Sequence, residues 1–250
     1  MAGKTVQDKQ LKRWPLYIRL IVYSLKLCMR HRVIGAENIT EEPAVFVANH
    51  GEFYGPVALS VFMPVYFRPW VDERMVNKEK CFAHIYHGTF ENIRWMPKGA
   101  KRLLTHICAA FISRVFSDMN SIPVYRDSLK DLAKTFTLSA EALLKDNVLV
   151  FPENPGKESD GKYKTDGSVS DFFTGFVHIG TVFYKKTGRC VTFYPVYADK
   201  AKRTLTIYPG ILFNGEANSK EEKQRIAEEI RQRMLQNNLI LVYKKSVETG

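Results

Sequence analysis

With 250 residues, 45% of them hydrophobic, the chain can bury one substantial core, and no Ser/Gly/Pro-rich linker or internal repeat divides it, so a single domain is expected. Its four cysteines, Cys28, Cys81, Cys108 and Cys190, lack Cys-x-x-Cys spacing, which argues against a disulfide framework and a cysteine zinc site and fits a reducing compartment. The net charge of +11 is uneven: residues 1–32 carry Lys4, Lys9, Lys12, Arg13, Arg19, Lys26, Arg30 and Arg32 against Asp8 alone. Between these cations lie Trp14, Leu16, Tyr17, Ile18, Leu20, Ile21, Val22 and Leu27, a stretch broken by Arg19 and Lys26 before it reaches spanning length. It reads as an amphipathic helix on an anionic membrane surface; a helix packed on the protein with its lysines in water is the other reading. A secretory signal lacks its uninterrupted apolar core, and a nucleic-acid partner lacks a recognisable module.

Farther along, Ala44–Ala48 and Val65–Trp70 read as buried strands, with Pro56 in the first turn of a helix between them that covers Val57–Phe62. Residues Ala100–Ser117 carry Leu103, Leu104, Ile107, Ala110, Phe111 and Val115 at helical spacing, a wide apolar face that ends before Ser121. A strand over Ile122–Tyr125 follows, then a capping box at Ser128–Asp131 opening a helix, then a strand over Val148–Phe151. After a polar loop come a helix over Gly175–Tyr184 and strands over Val191–Tyr197 and Leu205–Tyr208. Ser219–Glu222 is a second capping-box candidate, opening a helix with Ile226, Ile230 and Met234 inward and Glu221/Arg225 and Glu229/Arg233 pairs outward. The alternation predicts an α/β fold, a mixed and largely buried sheet flanked by helices.

Four short blocks fall at the downstream ends of strand-like runs: Asn49-His50, Ile122-Pro123-Val124-Tyr125-Arg126, Val150-Phe151-Pro152-Glu153 and Tyr194-Pro195-Val196. An open α/β sheet gathers its loops there, so a histidine, an arginine and a glutamate can converge on one cleft. His84 and His87 have metal-compatible spacing but no third ligand in view, and no metal is expected.

In order and content the blocks resemble the glycerolipid acyltransferases typified by 1-acylglycerol-3-phosphate acyltransferase, over residues 33–236. Val33-Ile34-Gly35-Ala36-Glu37-Asn38-Ile39 is similar to that family's opening strand and turn, and Asp171-Phe172-Phe173-Thr174-Gly175-Phe176 to its Thr-Gly-Phe segment. The resemblance implies transfer of a fatty acyl group from a coenzyme A or acyl carrier protein thioester to a lysophospholipid-like hydroxyl. That would occur at the cytoplasmic face of a membrane, by a peripheral protein without a cofactor. His50 is then the general base, Arg126 a phosphate ligand and Glu153 an acceptor ligand. Two departures stand out. Gly55 occupies the position of the aspartate that orients the histidine, and the third block continues Asn154-Pro155-Gly156-Lys157 in place of Gly-Thr-Arg-Ser. Glu52 is the nearest carboxylate to take over orientation or else points to solvent. Tyr54 offers a hydrogen bond without charge, and Lys157 a cation without the arginine fork. Asn49, Asn154 and Gly156 fit supporting roles, and a plain turn explains the last two equally well. The alternatives are the same chemistry on an acceptor without a phosphate, or a lipid-binding protein that has lost the reaction.

Overall fold

In the computed structural model, strand β1 (Arg32–Ile34) follows helix α1 (Leu16–Met29), and β2 (Val45–Ala48) leads into α2 (Tyr54–Phe62). Next come β3 (Phe67–Asp72), α3 (Glu73–Val76), α4 (Lys78–Ile85), α5 (Lys98–Asp118), β4 (Ile122–Val124), α6 (Leu129–Ala142) and β5 (Asn147–Val150). The chain closes with α7 (His178–Thr187), β6 (Thr192–Asp199), β7 (Thr204–Ile207), β8 (Ile211–Leu212) and α8 (Ser219–Glu248). The structure describes residues 13–51, 53–126, 128–153 and 172–248. They form two units, divided at 67/68 and 138/139, the second being residues 68–138.

The first unit holds the sheet β1-β7-β6-β2-β5, parallel except where β6 meets β7 and β8. Every residue of β2 and β5 is buried, which explains their continuous apolar runs: helices cover both faces of a parallel sheet. Buried Asn147 ties the sheet's upstream end, accepting from the Ala44 N–H (2.8 Å) and donating to the Tyr66 carbonyl (2.8 Å). Tyr194 stacks on Phe46 (centroids 5.3 Å apart), and its hydroxyl accepts from the N–H groups of Thr40 and Glu41. Pro195 sits mid-strand, where a missing N–H would break a ladder. It is accommodated because β7 and β8 shift register there: Val196 pairs with Ile207 but Phe193 with Ile211. Tyr194 and Pro195 therefore face Tyr208, Pro209 and Gly210, a one-residue bulge. Helix α1 lays Ile18 and Val22 into the core, Trp14 just before it packs against Tyr66 and Phe67, and Leu16, Leu20, Tyr23 and Leu27 are left exposed.

The α8 start differs from the expectation in its cap. Asn218, one residue before the expected Ser219, accepts from the Lys220 and Glu221 N–H groups. Buried Glu222 reaches back to the Asn214 N–H (2.7 Å), and Arg225 pairs with Glu222 and Glu229 instead of Glu221. A buried carboxylate needs a charged or hydrogen-bonding partner more than an exposed one does, because no water solvates it. Ile226, Ile230 and Met234 are inward as expected.

In the second unit β3 and β4 pair in parallel, Asp72 opposite Val124, and α4 packs on α5. The capping box forms: Ser128 Oγ accepts from the Asp131 N–H (3.1 Å) and donates to its carboxylate (2.6 Å). The wide apolar face of helix α5 is not its buried one. Its inner stripe is Lys101, Thr105, Ala109 and Ser113, while Leu103, Leu104, Ile107 and Phe111 face outward. The inner polar groups are satisfied locally: Thr105 donates to the Lys101 carbonyl, Ser113 to that of Ala109 and Lys101 Nζ to that of Glu91. Small residues on that side let α4 approach closely, and Phe82 stacks on His106 at 4.3 Å.

Candidate active site

The parallel register builds the site. Val47 lies opposite Val150 on one side of β2, and Ala48 lies opposite Val196 on the other. Continued past both strand ends, that register sets His50 against Glu153, and there the Glu153 carboxylate accepts from the His50 backbone N–H at 2.7 Å. A side-chain oxygen thus replaces the next strand carbonyl. On the β6 side, Asn49 Oδ1 accepts from the Ala198 N–H (2.7 Å) and Nδ2 donates to the Ala198 carbonyl (3.2 Å). Buried Asn49 acts as one more residue of the sheet, and the loop is held from both flanks. The His50 ring is half-buried and meets Phe151 edge-on, with centroids 5.3 Å apart.

Glu153 is 5% exposed. A carboxylate that deep must be met by donors, and the His50 N–H is one. Its placement makes it a positioning group for the histidine loop. Glu153→Gln should keep an acceptor oxygen for that N–H, whereas Glu153→Ala removes it. The expected result is near-wild-type stability for Gln and a loss of about 1–3 kcal/mol for Ala, read by denaturant unfolding. Equal losses in both variants would refute the positioning role.

Gly55 does more than lack a carboxylate. Its N–H donates to the His50 carbonyl (3.1 Å), and a Cβ built there would stand 2.5 Å from the carbonyl oxygens of both Asn49 and His50. The start of α2 is pressed onto the histidine loop so closely that no side chain fits.

The Tyr54 hydroxyl is bonded to groups other than His50. It meets His31 Nε2 and the Asp199 carbonyl, and burial, reinforced by the Asp199 charge against the opposing Arg203, pushes its pKa up to about 12. Burial, with Arg203 assisting, holds the His31 imidazole below its usual value, against the raising effect of a hydrogen bond with the Met29 backbone. The pair is neutral at pH 7 and ties the chain after α1 to α2 and the end of β6. Sequence reasoning missed His31 and Asp199 because contacts 23 and 145 residues from Tyr54 leave no local periodic trace.

Arg126 belongs to the second unit, exposed just past β4. Its loop is fixed by Thr135, whose hydroxyl donates to the Pro123 carbonyl (2.9 Å) and accepts from the Tyr125 N–H (3.1 Å). Burial pushes the nearby Asp72 carboxyl up, but the Arg74 bonds and charge, with that of Arg126, outweigh it and leave the group below its usual value. Among the described residues no carboxylate forms an ion pair with Arg126. Glu52, Asn154, Gly156 and Lys157 lie outside the described residues. Also among the described residues, no helix is long and apolar enough to cross a membrane.

No family model matches the chain, and no curated protein matches it. Among solved structures it is similar to the crystal structure of the 1-acyl-sn-glycerophosphate (LPA) acyltransferase PlsC from Thermotoga maritima. The TM-score is 0.53 at 14% identity, over 95% of this chain and 81% of that one. The likeness establishes the fold: a mixed α/β architecture with a central sheet flanked by helices, shared with that acyltransferase.

Proposed function

We propose that the protein is an acyltransferase that moves a fatty acyl group from a coenzyme A or acyl carrier protein thioester to the hydroxyl of a lysophospholipid-like acceptor. The observation that carries this reading is the His50 loop. It is clamped by Asn49 and Glu153 at the downstream end of the central strands, on a fold shared with an LPA acyltransferase. The imidazole takes the acceptor's hydroxyl proton as the oxygen attacks the thioester carbonyl. The tetrahedral intermediate then expels the thiolate, which takes that proton from the imidazolium, leaving an ester and a free thiol. No covalent enzyme intermediate forms. With position 55 closed to any side chain, we assign orientation of the imidazole to Glu52, and binding of the acceptor phosphate to Arg126 and Lys157. The exposed stripe Leu16, Leu20, Tyr23 and Leu27 of α1, among the N-terminal cations, supports a peripheral protein at the cytoplasmic face of a membrane.

The sealed Gly55 position also favours a second reading, a lipid-binding protein that has lost the reaction. Thiol release from a panel of acyl thioesters, measured with lysophosphatidate and with lysolipids lacking a terminal phosphate, separates these readings. The expected result is acceptor-dependent release fastest with lysophosphatidate, reduced about tenfold or more in Arg126→Ala through a raised KM. Release that ignores the phosphate would move the acceptor to a glycolipid or another alcohol, and no release with any pair would leave lipid binding alone.

A further inference from the structure

The edge of the sheet that carries the His50 loop also carries a set of cations with no part in the chemistry described so far. β6 ends at Asp199 and the turn Lys200-Ala201-Lys202-Arg203 follows; beside it β1 begins, with Arg32 paired to Thr204 and its N–H donating to the Arg203 carbonyl (3.0 Å). Arg32, Lys200 and Arg203 are exposed. Two of them gather at one spot: Lys200 Nζ lies over the Tyr54 ring, 6.0 Å from its centroid, and the Arg203 charge acts on both His31 and Tyr54. That spot adjoins the site. Asp199 directly follows the Ala198 that Asn49 clips, and Tyr54 opens α2 just before Gly55, whose N–H bonds the His50 carbonyl. All of these residues belong to one unit.

The cations are not neutralised locally. Among the described residues no carboxylate forms an ion pair with Arg32, Lys200 or Arg203, and Asp199 beside them is engaged by the Lys202 N–H (2.9 Å) and Nζ (3.1 Å). Like charges held close repel one another. Arg203 also takes a left-handed φ of 53°, where glycine or asparagine would sit with less strain. A turn that only joins two strands needs neither feature, and a local rule broken without structural gain marks a place with another use.

The His50 ring meets Phe151 on the β5 flank of β2, whereas the cations lie on its β6 and β7 flank. The acceptor phosphate, a few bonds from the hydroxyl that reacts, cannot serve both places. A coenzyme A thioester can, because its pantetheine arm separates the phosphates from the acyl carbonyl. A carrier protein would need a contact of about 800 Å² a side, and these cations occupy one turn and one strand end. We propose that Arg32, Lys200 and Arg203 bind the phosphates of a coenzyme A thioester, the nucleotide lying on the β6–β7 turn and the pantetheine arm running toward His50. The guanidinium forks take phosphate oxygens in pairs, and Lys200 adds a point charge. The direction of the arm rests on the acyl-transfer reading; the phosphate site is tested by binding alone.

The test is calorimetric binding of coenzyme A, dephospho-coenzyme A and pantetheine to the full-length protein. Affinity should fall in that order, and that for coenzyme A should weaken with salt. In the combined Arg32→Gln, Lys200→Gln and Arg203→Gln variant, coenzyme A affinity is expected to drop at least tenfold while lysophosphatidate affinity stays at the wild-type value. Arg203→Gly alone guards against a folding defect: glycine suits the left-handed turn, so Tm should hold or rise while coenzyme A affinity falls at least threefold. Wild-type affinity in the combined variant, or a wild type that binds no coenzyme A, would overturn the proposal. So would unchanged coenzyme A affinity alongside lost binding to an acidic acyl carrier protein or to phosphatidylglycerol vesicles, which would give the cations to that partner. Coenzyme A held by these cations on a protein that never releases thiol would sink the acyl-transfer reading alone. Thiol release with a wild-type KM for palmitoyl-coenzyme A in the combined variant would sink this site alone.

Discussion

His50→Ala is expected to lower thiol release by about 10²- to 10⁴-fold, the usual contribution of a positioned general base, while leaving lysolipid affinity within a few-fold of wild type. The protein should still fold, because the bond to Glu153 is made by the backbone N–H of residue 50 and the clip to Ala198 by Asn49. The loss should appear in kcat with KM unchanged, since the imidazole acts on a proton that moves only in the transition state. Thiol release measured side by side with lysolipid binding on the same preparations checks this. An unchanged rate would place the base elsewhere. A wild-type protein that binds lysolipid equally well with and without His50, and never releases thiol, would establish the lapsed lipid-binding reading.

Gly55→Asp is expected to damage the protein instead of restoring a dyad. A carboxylate five residues after the histidine would complete the pattern of the acyltransferases that the four blocks resemble, yet its Cβ would lie 2.5 Å from two backbone oxygens, where real Cβ contacts do not fall below about 3.0 Å. Neither oxygen can retreat easily. The His50 carbonyl accepts from Gly55 itself, and Asn49 is held by the clip of its side-chain amide to Ala198. Overpacking of this kind costs about 1–3 kcal/mol, which for a chain of this size lowers Tm by roughly 2–12 °C. Gly55→Ala should show most of the same loss, because the clash begins at the Cβ. Thermal unfolding of the two variants, with thiol release on each, decides the matter. A Gly55→Asp protein with wild-type Tm and faster turnover would show that the loop can open for the side chain, and that Glu52 is not needed.

Much of this was legible before the structure. The buried strands announced themselves as apolar runs because a parallel sheet covered on both faces demands them, and Ser128–Asp131 formed the cap its spacing promised. Helix α5 was legible as a helix but not in its orientation. Periodicity identifies Leu103, Ile107 and Phe111 as one face, and nothing in a period says whether protein, lipid or another molecule lies against it. The cap of α8 slipped from Ser219 to Asn218 because both side chains offer an oxygen within one residue, and the choice rests on geometry that composition does not carry. At the site, His50 and Glu153 were found by their blocks, but not the bond joining them. It depends on the β2–β5 register, which local sequence does not encode. Gly55 was read as a missing acid, and its other meaning, a backbone approach too close for any side chain, needed coordinates.

The strand order has a consequence for how the protein is made. β2, completed by residue 48, has its partners in β5 and β6, with Val45 paired to Val148 and to Phe193. At about 5–20 residues per second, a ribosome needs roughly 5–30 s to supply those strands after β2 has emerged. Until then Val45, Phe46 and Val47 form an apolar strand with two open edges, the kind of segment that chaperones bind and that aggregates when synthesis outruns folding. The histidine loop is later still, since its Asn49 clip waits for Ala198, 149 residues downstream. A nascent or truncated chain ending before β6 therefore carries His50 without its clamped loop, and the candidate site comes into being only when the sheet closes.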